Sequence, residues 1–175
     1  MKLVHWTRFS WDLAKLPPGE SVTLDARYII RPATRREKKN VRHVVATTFA
    51  LDPDWSDTLK NVQDWLDQRI EEQFSNRNVL CLVVMHGTRI IGASLLDPDP
   101  EAESNLVTGP CILNEYRSRG IGTALLYLSL RALRDAGLSE ARALTKGNVP
   151  AAKFVYTKFE SVNEPVESVP NMVSS

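Results

Sequence analysis

The apolar positions change period several times along the chain, and each change marks an element. Tyr28-Ile29-Ile30 centres a stretch from Leu24 to Arg31 that predicts a strand, closed by Pro32. Thr34 and Glu37 are spaced as a capping box, and Val41, Val44, Val45, Thr48 and Phe49 follow on one helical face. Residues 50–57, with Asp52-Pro53-Asp54, break that helix. A second helix then runs toward Phe74 with Leu59, Val62, Leu66 and Ile70 as its stripe and Trp65 beside it. Val79 to Met85 is apolar at every position, unlike a half-exposed strand, so it is expected in the centre of a sheet. His86-Gly87-Thr88 turns the chain, and Arg89 to Leu96 returns as the hairpin partner.

Beyond the loop Asp97–Glu101, residues Asn105 to Leu113 predict another strand. Gly109-Pro110 inside it suggests a bulge or a close backbone approach. The helix after Gly120 carries a wide apolar face that includes Ile121, Leu125, Leu128 and Ala132, and Gly137 stops it. Ala141 to Thr145 reads as a short strand, and Val149 to Lys158 as a helix with Pro150 in its first turn. Met1 to Glu20 has no clear period and reads as an arm or lead-in strand, while the tail from Glu160 has room for one more strand. The order implies an α/β fold with a mixed sheet and helices on both faces. We expect one domain over 27–175, with residues 1–26 as an N-terminal arm packed on it.

Composition narrows the function classes. In 175 residues, 43% are hydrophobic, enough for one core, and the formal net charge is +1. No global attraction to nucleic acid or an anionic membrane follows, so any affinity for phosphate must be local. Cys81 and Cys111 lie far apart in apolar runs, without metal-ligand spacing, and are expected to be buried free thiols of a reducing compartment. The N-terminus lacks the apolar stretch of a signal peptide, and no run reaches the ~20 apolar residues of a membrane span. A cytoplasmic location is the expectation. His5, His43 and His86 are scattered and suggest neither a metal site nor a triad.

The chemistry concentrates between Ile112 and Leu126. An apolar strand leads into a turn holding Arg117, Arg119, Gly120 and Gly122, and a strongly apolar helix follows. Such a turn leaves unpaired N–H groups at the positive end of a helix, glycines let an anion approach the backbone, and arginines add charge. A phosphate-bearing ligand is the reading, against the plainer ones of glycines for close helix packing and arginines solvated at the surface.

Arg117-Ser118-Arg119-Gly120-Ile121-Gly122 has the form R-x-x-G-x-G and resembles the acyl-CoA loop of the GNAT N-acetyltransferase superfamily. Downstream, Asn148, the Ala151-Ala152 pair and Tyr156 resemble that family's second signature, with one residue more than usual between Asn148 and Tyr156. The resemblance implies a mostly antiparallel central sheet with a splayed parallel strand pair. It implies acetyl-CoA as acyl donor, without a metal. Arg117, Ser118, Arg119, Gly120, Ile121, Gly122 and Thr123 would hold the pyrophosphate, Ile112 and Leu113 would pair with the pantetheine arm, and Asn148 would support the cofactor. Tyr156 would face the thioester sulfur as the acid for the leaving thiolate. Tyr156 also reads as plain core, and Asn148 as a helix cap.

The implied reaction is acetyl transfer to a primary amine, on a small molecule or a peptide, by direct attack in a ternary complex. A non-catalytic acyl-CoA sensor is the alternative, and a loop binding another phosphate or nucleic acid is a lesser one. A homodimer is left open. No general base is legible: Asp97, Asp99 and Glu103 form an acidic loop, and Glu115 occupies a position that is not generally the base in the family. Asp52 and Asp54 sit where they could attract a cationic amine.

Overall fold

In the computed structural model, which describes residues 6–77, 79–147 and 149–167, the chain forms two antiparallel sheets with three α-helices. The first sheet has the order β2-β3-β4-β5, from Tyr28–Pro32, Cys81–His86, Arg89–Leu95 and Cys111–Ile112. The second has the order β6-β1-β7, from Glu140–Lys146, Trp6–Asp12 and Val162–Val166. The stretch read as an arm or lead-in strand is thus a strand paired on both sides, with Trp6 opposite Lys146 and Val166. The tail supplies its second neighbour.

The helices lie close to where the periodicity put them. The capping box is present, with the Thr34 amide donating to Glu37 Oε1 at 2.8 Å, and leads into α1, Lys38–Leu51. Val41, Val44, Val45 and Phe49 are its buried face, and α1 packs on β4 and β5. Helix α2, Leu59–Ser75, buries Val62, Leu66, Ile70 and Phe74. Helix α3, Ile121–Asp135, is the most apolar and joins β5 to β6 as a crossover, packing against both sheets. Residues β3 and β4 contribute, Val83, Val84, Ile91 and Ala93 among them, are fully buried, as the unbroken apolar run required.

Three expectations change. The strand expected over Asn105–Leu113 is reduced to Cys111–Ile112 and one bridge, Leu106 to Leu96. Gly109 at φ 66° reverses the backbone, and Thr108 Oγ1 accepts the Leu95 N–H at 3.1 Å while donating to Gly109 O at 2.7 Å. Side-chain hydrogen bonds there replace the ladder. The helix expected over Val149–Lys158 is a π-helix, Ala151–Val155, in which the Tyr156 N–H reaches Ala151 O at 2.8 Å. A π-turn holds one residue more than an α-turn, which accommodates the extra residue before Tyr156. Finally, the mixed sheet is divided into two antiparallel sheets, in keeping with a splayed strand pair, and they are joined chiefly at one point.

That point is Arg142. Its carbonyl accepts the N–H groups of Asn105 and Leu106, at 2.8 and 3.2 Å, and its N–H donates to Asn105 Oδ1 at 2.9 Å. The buried Asn105 side chain also donates to the carbonyls of Asp97 and Asp99, at 3.0 and 2.9 Å. Further along, β5 and β6 belong to different sheets, and a gap opens between them.

Candidate active site

Two residues with left-handed backbone shape the turn before α3: Ser118 at φ 63° and Gly120 at φ 78°. Gly120 takes that conformation without the steric cost a side chain brings. The Ala124 N–H is the first to find a carbonyl behind it, Gly120 O at 3.2 Å. The N–H groups of Ile121, Gly122 and Thr123 therefore open the helix without intrahelical partners. They border a cavity of about 330 Å³, with Arg117 and Ser118 on its rim. A Cβ added at Gly122 would meet only Val155 Cγ2, at an ordinary 3.7 Å. Helix packing does not demand this glycine, and the room in front of it belongs to the cavity.

The gap between β5 and β6 opens into the same cavity, which Cys111, Ile112 and Thr145 line. β5 is an edge strand, and the Leu113 N–H after it donates back to Ile91 O at 2.9 Å. Alternation along a strand then turns the Ile112 N–H and C=O the other way, toward the gap. Leu113 offers no such edge: its N–H is committed to Ile91, and its carbonyl accepts from Tyr116 at 2.9 Å.

Tyr156 closes the deep end and is 3% exposed. Its ring meets Phe9 and Trp11 of β1, centroids 5.4 and 5.7 Å away, contacts worth about 0.5–1.5 kcal/mol each beyond their area. A Cβ at Gly109 would stand 2.1 Å from the Tyr156 hydroxyl, so the glycine lets the phenol reach the cavity. Burial, and secondly the proximity of Cys111, push the phenol above its usual pKa. Burial likewise pushes the Cys111 thiol up to about 12, against a weaker opposing hydrogen bond at Thr108.

The facing wall comes from the connection between α1 and α2. Thr48 and Phe49 end α1, and Asp52 and Trp55 follow on the turn Pro53–Trp55. Asp52 caps that turn, accepting from the Asp54 N–H at 3.1 Å. Lys146 of β6, 1% exposed, pins the turn: its Nζ donates to Asp54 O and Asp57 Oδ1, both at 2.8 Å, and lies 5.0 Å from the Trp55 ring centre. The bond from Lys146 holds the Asp57 carboxyl below its usual pKa.

Of the residues singled out in the sequence, Ile112, Arg117, Ser118, Gly120, Ile121, Gly122, Thr123 and Tyr156 line this one cavity. Asn148 lies outside the described residues. The Arg119 side chain is on the outside of the turn, donating to Tyr28 Oη and Glu115 O, each at 3.1 Å, over the Tyr116 ring. It braces the turn against β2 and does not line the cavity. Leu113 borders a separate open groove beside His43 and Arg89. Asp97 pairs with Arg69 at 2.5 Å and caps its own loop, so this acid is structural. Sequence reasoning passed over Phe49 and Thr145 as cavity residues, because each sits in an ordinary core pattern.

A family model described as the acetyltransferase (GNAT) family matches residues 44–159. Among solved structures, a GCN5-related N-acetyltransferase from Sphaerobacter thermophilus is similar at TM-score 0.66 and 16% identity, over 94% of this chain and 50% of that one. A conserved protein of unknown function from Staphylococcus epidermidis follows at 0.60 and 15%, over 93% of this chain and 59% of that one. A Drosophila protein is similar at 0.59 and 10%, over 93% and 48%. The chain thus spans about half the length of these structures, and identities this low speak for the fold alone. No curated protein matches. With two thirds of its residues under that family model, and the turn, the splayed strands and the buried tyrosine on one cavity, the chain belongs to the GNAT acetyltransferase family.

Proposed function

We propose that the protein is an acetyl-CoA-dependent N-acetyltransferase that acts on a primary amine by direct transfer in a ternary complex. The observation that carries this reading is the continuity of one cavity, from the turn at Arg117 through the gap between β5 and β6 to Tyr156. The donor set suits a diphosphate: three unpaired N–H groups at a helix start and one arginine beside them. Acetyl-CoA supplies an activated acyl group as a thioester. The Ile112 N–H and C=O are free to pair with the amides of a pantetheine arm, in the manner of an added strand.

Tyr156 supplies the proton. The phenol carries its proton at neutral pH and donates it to the sulfur as negative charge builds on the breaking C–S bond. The amine nitrogen forms the new C–N bond and gives up its proton to solvent, and Tyr156 is then reprotonated. A route through an acyl-cysteine is disfavoured, because the Cys111 thiol is held protonated and a thiol is a poor nucleophile.

Acetyl-CoA is expected to raise the melting temperature by mass action, with ~2.7 kcal/mol of added stability at a hundred times its dissociation constant. No shift at millimolar ligand overturns the reading. A shift without thiol release across a panel of amines would replace the enzyme with an acyl-CoA sensor.

A further inference from the structure

The charges around the cavity are few. Among the described lining residues Arg117 is the one cation and Asp52 the one carboxylate, and they stand on different walls: Arg117 on the turn before α3, Asp52 on the connection after α1. Much of the remaining surface near Asp52 is aromatic. Phe49 and Trp55 pack ring to ring at 5.1 Å, Trp6 backs Trp55 at 5.9 Å, and Phe154, 69% exposed, stands on the rim. The Asp52 carboxylate has a fixed direction, because it caps the turn that Lys146 pins to β6. Its neighbour Asp57 is neutralised by Lys146, whereas Asp52 has no ion pair among the described residues.

We propose that Asp52 is the specificity-determining residue for the acceptor, and that the acceptor is a small primary monoamine with an aromatic or apolar body. This rests on the acetyl-CoA reading of the same cavity. The carboxylate draws in the ammonium, which gives one proton to solvent before the neutral nitrogen attacks the thioester, and Phe49, Trp55 and Phe154 take the apolar body out of water. A polyamine would bring a second ammonium into a cavity with no second carboxylate among the described residues. An α-amino acid would bring a carboxylate that Asp52 repels, and the one lining arginine is committed to the donor phosphates. The cavity, at about 330 Å³, must hold the thioester end as well, which favours a small acceptor.

The test measures thiol release from acetyl-CoA with phenethylamine, spermidine and glutamate, on the wild-type chain and on Asp52→Asn. Asparagine caps a turn as aspartate does, so the fold is retained, and matching thermal melts confirm it. Phenethylamine is expected to have the highest kcat/KM, by about tenfold or more, the scale of one ion pair of ~1.4 kcal/mol. Asp52→Asn should raise the KM for phenethylamine by about tenfold, with kcat little changed and acetyl-CoA affinity by calorimetry unchanged. Asp52→Glu should restore part of the loss. An unchanged KM in Asp52→Asn, or a preference for spermidine or glutamate, overturns the proposal while leaving the acetyl-CoA reading intact. If calorimetry finds no acetyl-CoA binding to the wild-type chain, both readings fall together.

Discussion

One wall of the cavity is cut from a single stretch of chain, and the other is gathered from four. The side we propose for the donor is residues 111–123: an edge strand, a turn with two left-handed residues, and the first N–H groups of α3. The side we propose for the acceptor takes Phe49 from the end of α1, Trp55 from the turn after it, Thr145 from β6 and Tyr156 from just after the π-helix, with Trp11 and Lys146 packed behind. The donor side works mostly through backbone, whose directions follow from φ and ψ. The acceptor side works through side chains, whose neighbours are set by packing between distant segments. A phosphate is the same in every acyl-CoA, so backbone groups suffice for it. An acceptor differs from enzyme to enzyme, and side chains are what can differ with it.

Substitutions on the two sides should therefore separate donor effects from acceptor effects. The largest is expected at Gly122→Trp. The indole would fill the space in front of the unpaired N–H groups and lower acetyl-CoA affinity by about 100-fold or more, ~2.7 kcal/mol, as measured by calorimetry. Affinity equal to wild type would remove the turn from the donor site. Next is Tyr156→Phe, which keeps the ring packing against Phe9 and Trp11 and removes only the hydroxyl. Turnover should fall roughly 10²-fold with acetyl-CoA affinity unchanged, and equal rates would take Tyr156 out of the acid role. The smallest is expected at Lys146→Met, which frees the turn bearing Asp52 and Trp55 by removing two charge-assisted bonds, typically about 1.5–3 kcal/mol each. The KM for the amine should rise several-fold while acetyl-CoA affinity holds. A loss of donor affinity instead would show that the two walls are mechanically coupled.

What was legible in the sequence follows the same division. That Arg117, Gly120 and Gly122 border the cavity could be read because the turn's backbone shape is set by residues close in sequence. Arg119 misled, since its position in the motif says nothing of the Tyr28 hydroxyl that draws it outward. The strand over Asn105–Leu113 was overextended because the Thr108 hydroxyl takes the Leu95 amide, a choice that apolar periodicity does not register. The extra residue before Tyr156 was visible, but not the π-turn that absorbs it. Lys146 gave no signal: one lysine in a short strand reads as an exposed charge until the carbonyl of Asp54 and the carboxylate of Asp57 are found around it.

The placement of β1 has a consequence for how the molecule reaches its native state. Residues 6–12 pair with 140–146 on one side and with 162–166 on the other. These are among the widest sequence separations the chain can make, and each requires closing a loop over most of its length. The sheet β2-β3-β4 has its hairpin nearby and can assemble early. The Phe9–Trp11 face that backs Tyr156 is therefore expected to set after that sheet, so Tyr156 gains its aromatic support late in folding.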